Sequence, residues 1–424
     1  MTTEQLHKLF LEFPEVCTDT RKITKDCLFF ALKGPNFNGN AFAQQALEKG
    51  AAYAVIDESD YKRSDKCILV DDVLKALQEL GTYHRFQNKA TIISLTGSNG
   101  KTTTKELIYH VLSQKFKTIA TRGNLNNHIG VPLTLLSIKK DTEMAIVEMG
   151  ANHQKEIAFL CSLAQPDYGY ITNFGKAHLE GFGGVEGVIK GKSELYDYLI
   201  SHNKHAFFNA DDPIQVEKLA HYSKKTGFSS KEGPYLQIRL TESTPFLQIS
   251  IGNTLIKTQL TGKYNFPNCA VAILMGQYFK VPTSLISKGI AAYIPDNNRS
   301  QLLERNGVKI VLDAYNANPT SMIAALESFA ELPASQKVVV LGDMFELGES
   351  AAEEHQRIAE LAEQLAFNAC YLVGSNFNNT RTNCMKFETF DALATRLKTD
   401  HLQNVTVLIK GSRGMALERV LGLL

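Results

Sequence analysis

Nine short β-branched runs, each ending in small or polar residues, constrain this chain more than any other feature: 51–57, 91–98, 144–151, 168–173, 205–210, 308–317, 337–343, 369–375 and 405–412. Helical patterns separate most of them. In KTTTKELIYHVLSQKF (101–116), Leu107, Ile108, Val111 and Leu112 fall on one face. Strands apolar on both faces that alternate with helices pack as parallel sheets, so the fold class expected is α/β with mainly parallel sheets. A weaker alternating stretch, 235–262, predicts antiparallel strands.

Length and punctuation divide the 424 residues into three expected domains, 1–85, 86–295 and 296–424. The first ends in the polar stretch YHRFQNKA, and Pro295 with Asp296–Arg299 reads as a linker before the third. With 45 basic and 44 acidic residues the net charge is +1, which argues against a general nucleic-acid or membrane-surface binder. No apolar run approaches the roughly 20 residues that span a bilayer. Seven scattered cysteines without a C-x-x-C pair fit reduced thiols, hence a cytoplasmic chain without a disulfide framework or zinc site.

The chemistry starts at TGSNGKTTT (96–104), between a buried strand and an amphipathic helix. A glycine-rich turn offers successive N–H groups to phosphate oxygens, and the helix N-terminus adds a favourable dipole. Lys101 would reach the β/γ-phosphates and the Thr102 hydroxyl a Mg²⁺ ion, which makes ATP the expected ligand. The spacing is shorter than the usual phosphate-loop pattern, since Gly97 lies only three residues before Gly100. Glu148 ends another strand, where a carboxylate is a natural Mg²⁺ ligand or simply a solvated strand end. His178 follows a further strand, and Lys192 comes after a glycine-rich stretch. On spacing alone either is more often structural than functional.

Taken in order, T-G-S-N-G-K-T-T, E-M-G-A, I-T-N-x-G-x-A-H-L-E-x-F-G and K-x-E-L-Y resemble the Mur ligases, ATP-dependent amide-forming enzymes of peptidoglycan precursor synthesis. DAYNANPTSM (313–322), LGDMFELGE (341–349), IKGSRGMALERV (409–420) and the front end TDTRKITKDCLFFALKGPNFNGNAFAQQALEKGA resemble the branch that adds D-alanyl-D-alanine. The resemblance covers essentially the whole chain. It implies a small α/β UDP-binding domain, a central P-loop ATPase domain and a C-terminal Rossmann-like domain. The implied substrates are UDP-N-acetylmuramoyl-tripeptide, D-Ala-D-Ala and ATP, with two Mg²⁺ ions and a monomeric enzyme.

Carried over by position, the resemblance implies that Gly97, Ser98, Asn99, Gly100, Lys101, Thr102 and Thr103 hold the ATP phosphates. Thr102 and Glu148 would hold one Mg²⁺ and His178 would help to hold the second. Lys192 matches the family's carbamylated lysine, an oxygen-donor anion in place of an ammonium. Asn265 and Asn268 fall where adenine is contacted, and Arg299 and Asp313 where the third domain meets ATP. Thr20, Arg21, Asn124, Asn127, Thr172 and Asn173 lie in segments that hold the UDP-sugar-peptide. Lys410, Ser412 and Arg413 would sit near the dipeptide or nucleotide, and Asn316 is a substrate candidate in a turn before Pro319. Two positions depart from the family pattern: Tyr264 stands where histidine is frequent, and Asn298 replaces the glycine before Arg299.

Three other readings compete. A diamino-acid-adding ligase would carry D-N-P-R, where this chain has Y-N-A-N-P. A folylpolyglutamate synthase-like ligase would lack the TDTR…NFNGN front end. A nucleotide-dependent regulator would hydrolyse ATP without needing both a carboxylate donor and an amine acceptor.

Overall fold

The computed structural model describes all 424 residues, and the chain forms two compact units. One comprises Met1–Ser94, Phe116–Gly150 and Ile157–Tyr168; the other comprises Leu95–Lys115, Ala151–Glu156 and Gly169–Leu424.

In the first unit, four short parallel strands, Val16–Cys17, Leu28–Phe30, Tyr53–Ile56 and Cys67–Leu69, lie side by side in chain order. Their β-branched and aromatic side chains are buried on both faces, as the apolar run at 51–57 predicts. Helix Val73–Gln87 covers one face together with Leu6 and Phe10 of the N-terminal helix. The same helix packs on Gly130–Leu136, where a Cβ on Gly81 would lie 3.0 Å from Pro132 Cα. Arg85 adds an ion pair at 2.8 Å to Asp167, whose carboxylate also accepts the Ile92 N–H.

A seven-stranded sheet contributes strands to both units, in the order Leu236–Gln237, Lys225–Ser229, His205–Asn209, Tyr168–Ile171, Thr91–Thr96, Met144–Glu148 and Thr118–Ala120. Three of the sequence-predicted runs have tails that extend past the strands they form: the strand of 91–98 ends at Thr96, that of 144–151 at Glu148 and that of 168–173 at Ile171. Those tails are the loops that carry the candidate site. Helix Lys101–Leu112 buries the predicted face, Leu107, Ile108, Val111 and Leu112, and ends four residues before the predicted limit. The alternating stretch at 235–262 contains a three-stranded antiparallel sheet of Arg239–Glu242, Gln248–Ile251 and Thr254–Lys257.

The remaining large sheet, in the second unit, has the order Gln301–Arg305, Val308–Asp313, Thr406–Lys410, Lys337–Gly342, Ala369–Val373 and Met385–Phe387. Its first pair is an antiparallel hairpin and the rest is parallel. Val308, Ile310, Val338, Val340, Val407 and Ile409 form its core. No helix of the structure is long and apolar enough to cross a membrane.

Candidate active site

Strand Thr91–Thr96 passes to helix Lys101–Leu112 through a loop that only glycine permits at two points. Gly97 has φ 139°, and a Cβ there would lie 2.0 Å from Thr172 Oγ1. Gly100 has φ 78°, with a Cβ placed 2.7 Å from Asn268 Oδ1. The helix starts without a side-chain cap, an arrangement suited to an anion at its N-terminus. Lys101 Nζ lies over the loop and donates to Gly97 O at 2.6 Å and Ser98 O at 3.2 Å.

Neighbouring segments hold the loop from outside. Thr172 Oγ1 and Asn173 Nδ2 donate to Asn99 O at 2.6 and 3.0 Å, and the Asn99 N–H donates back to Asn173 Oδ1 at 3.0 Å. Ser98 N–H reaches Asn173 O, and Ser98 Oγ donates to Gly175 O. Thr172 and Asn173, which the resemblance places in a substrate segment, thus have side chains engaged with the loop. Asn268 Oδ1 accepts from Thr104 Oγ1 at 3.0 Å while its amide donates to Asn265, and Asn265 donates to Thr261 O. These buried asparagines brace the loop and the first helical turn.

The buried Lys192 is the most unusual charge carrier in this unit. Its side chain has no solvent exposure, Nζ donates to Ala151 O at 2.9 Å, and the Phe182 ring centroid is 4.7 Å away. No carboxylate bonds to it. Burial, then the charge of Lys101, lowers its pKa well below the ordinary lysine value. His178 points Nδ1 at Glu346 Oε2, 2.6 Å away, and Lys176 pairs with the buried Glu354.

The third-segment candidates converge. Asp313 Oδ2 accepts from Lys410 Nζ at 2.5 Å and Oδ1 from the Ser300 N–H at 3.0 Å. Lys410 also reaches Asn316 O, and the Arg413 N–H faces Asn316 Oδ1 at 3.4 Å. Ser412 Oγ accepts the Phe345 N–H at 2.8 Å. The Arg299 guanidinium stacks 3.5 Å from the Tyr315 ring centroid, with Arg413 at 5.6 Å. Tyr264, at the position that departs from the family pattern, is buried and shares a 2.8 Å hydrogen bond with Ser300 Oγ; burial pushes its phenol pKa up.

In the first unit, Glu148 is 1% exposed, and Asn126 Nδ2 donates to its Oε1 at 2.8 Å. Asn127 Oδ1 is committed to the N–H groups of Ile129 and Gly130, and the exposed Asn124 lies in the preceding turn. Arg21 forms a bidentate pair with Asp19, whose pKa its hydrogen bonds lower to about 2, and Thr20 opens that short helical turn.

Three further residues hold this arrangement. Asn126 donates to Glu148. Asn318 caps helix Pro319–Glu331 and donates to Asn99 Oδ1 at 2.7 Å. Glu346 bonds His178 Nδ1. An asparagine before Pro319 is a readable capping signal, but nothing local marks the other two.

Three family models match successive stretches of the chain. Residues 12–85 match the Mur ligase family catalytic domain, 95–276 the Mur ligase middle domain, and 298–413 the Mur ligase glutamate ligase domain. The UDP-N-acetylmuramoyl-tripeptide–D-alanyl-D-alanine ligase of Bacillus subtilis (strain 168) is 35% identical over 420 residues, covering 96% of this chain and 92% of its own. The chain belongs to the Mur ligase family. An enzyme of the same description from Escherichia coli (strain K12) is 36% identical over 419 residues, again 96% and 92% of the two chains. Among solved structures, MurF from Acinetobacter baumannii superposes with a TM-score of 0.85 at 30% identity, covering 99% of this chain and 98% of that one. MurF from Thermotoga maritima in complex with ADP gives 0.84 at 27% identity, with 97% of each chain covered.

In this Mur ligase the Asp313–Lys410 pair is nearly dry, with side chains 14% and 3% exposed. Asp313→Ala leaves a buried ammonium without its counter-ion, at a cost of about 3 kcal/mol. Urea unfolding should show that loss, and Asp313→Asn should cost less because Ser300 and Lys410 keep an acceptor oxygen.

Proposed function

We propose that this Mur ligase joins D-Ala-D-Ala to the carboxylate of UDP-N-acetylmuramoyl-tripeptide, releasing ADP and phosphate, in peptidoglycan precursor synthesis. The observation that carries the reading is the match over nearly the full length to two ligases of that description. The third-segment motifs that distinguish this branch, around Asn316 and Arg413, lie together in space.

A carboxylate is a poor electrophile, so one of its oxygens first attacks the ATP γ-phosphorus and ADP departs. The dipeptide amine then attacks the acyl carbon, expelling phosphate and releasing a proton. The loop 97–103 binds the phosphates, and Lys101, already poised over Gly97 and Ser98, offsets their charge. Bound Mg²⁺, two ions in this reading, screens the repulsion between the carboxylate and the γ-phosphate. Thr102, Glu148, His178 and Lys192 are its protein ligands. Their fit rests on two observations: Glu148 is a buried carboxylate steadied by Asn126, and Lys192 is a buried lysine without a bonded carboxylate. An ammonium would repel a hard cation; a neutral amine adds CO₂ and loses a proton to become an oxygen-donor carbamate. Burial supplies the neutral amine.

Arg299, Asp313, Asn265 and Asn268 serve the nucleotide in this reading. Thr20, Arg21, Asn124, Asn127, Thr172 and Asn173 serve the UDP-sugar-peptide, while Asn316, Lys410, Ser412 and Arg413 serve the dipeptide. Three domains, 1–85, 86–295 and 296–424, and a monomer in the cytoplasm complete it.

A coupled assay tests the activity. Phosphate release should require both UDP-N-acetylmuramoyl-tripeptide and D-Ala-D-Ala; faster release with free meso-diaminopimelate or L-lysine and the dipeptide precursor would instead assign the diamino-acid branch. For the carbamate, Lys192→Ala should lose nearly all activity, about 100-fold or more, and formate or acetate should restore part of it by supplying an oxygen ligand. Rescue by small amines and not by carboxylates would show that Lys192 acts as an ammonium.

A further inference from the structure

His178 and Glu346 lie 168 residues apart in sequence and meet through a 2.6 Å hydrogen bond. Each sits just beyond a buried strand, Tyr168–Ile171 and Lys337–Gly342 respectively. Both also adopt the left-handed backbone region, with φ 54° and 62°. That conformation is unfavourable for a non-glycine residue and persists only where the surroundings fix it. Here they do: the Glu180 N–H donates to Glu346 O at 3.2 Å. Gly348, at φ 55°, brings the same turn so close that an added Cβ would lie 3.4 Å from Glu180 Cβ.

The hydrogen bond also fixes which ring nitrogen donates. An ionised carboxylate only accepts, so Nδ1 carries a proton, and the neutral tautomer held this way keeps its lone pair on Nε2. Nε2 has no hydrogen-bond partner in the protein, and the side chain is 19% exposed. Glu346 is 49% exposed and would be well solvated without the histidine. The contact is therefore not needed to satisfy the carboxylate; its consequence falls on the imidazole.

We propose that Glu346 is a positioning residue that fixes the tautomer and direction of His178, so that Nε2 is presented to a divalent cation. This rests on the reading of His178 as a metal ligand given above. Glu346 belongs to the segment after residue 296 and His178 to the segment before it. The histidine is thus oriented only when these two segments meet, at the junction that also carries Lys176–Glu354 and Asn99–Asn318. Cation binding and the meeting of the segments then favour each other, because a free-energy coupling acts equally in both directions.

Mn²⁺ titration of the full-length protein, followed by the electron paramagnetic resonance of free Mn²⁺ with a non-hydrolysable ATP analogue present, tests the assignment without turnover. His178→Ala should lose one Mn²⁺ site. Glu346→Ala should weaken that same site by about 10- to 100-fold and leave the other unchanged. Glu346→Gln should recover most of the affinity, since its amide oxygen still accepts from Nδ1, whereas a merely structural contact would leave Mn²⁺ affinity alike in wild type, Glu346→Ala and Glu346→Gln. If His178→Ala loses the ion but Glu346→Ala binds it as the wild type does, the role of Glu346 is overturned and the metal reading stands. If His178→Ala keeps both ions at wild-type affinity, the metal reading falls and this inference with it.

Discussion

The hydrogen bonds that converge on Asn99 hold the rest of the site in register. A loop with φ 139° at Gly97 and φ 78° at Gly100 has little regular structure of its own to stabilise it. Asn99 accepts from Thr172 and Asn173 through its carbonyl, donates to Asn173 through its N–H, and accepts from Asn318 through its side chain. Three chain segments are thereby tied to one residue. Each bond contributes about 1 kcal/mol net, yet losing any leaves a polar group partly buried without its partner, which costs more. The loop is pre-organised in this way, so little ordering remains when phosphate binds.

The electrostatics follow from what is buried beside this frame. Lys101 has loop carbonyls for company, whereas Lys192 has one carbonyl and an aromatic ring. Burial, then the charge of Lys101, lowers the Lys192 pKa well below the ordinary lysine value. In the function proposed above, that burial distinguishes a phosphate-binding Lys101 from a Lys192 able to become a carbamate.

Much of the fold was legible because strands buried on both faces must be apolar throughout, as at 337–342 and 406–410. Their polar tails marked the loops of the candidate site, which begin after Thr96, Glu148 and Ile171. The turn at 97–100 was legible in its two glycines. Harder to read were residues defined by a distant partner. Thr172 and Asn173 read as residues of a substrate segment, and nothing local shows that their side chains also bond Asn99. Glu346 has no local signal, since its partner is 168 residues away. The polar stretch YHRFQNKA likewise read as the end of a first segment, yet it closes helix Val73–Gln87, whose packing on Gly130–Leu136 involves a close approach at Gly81.

The central claim is that the donor carboxylate is activated by becoming an acyl phosphate, and isotope transfer tests it most directly. With both oxygens of that carboxylate labelled with ¹⁸O, one oxygen must leave with phosphate when the dipeptide amine attacks. Mass spectrometry of the phosphate from a reaction with ATP and D-Ala-D-Ala should therefore find one ¹⁸O atom per phosphate, with the other retained in the new amide. Amide product accompanied by unlabelled phosphate would contradict the account.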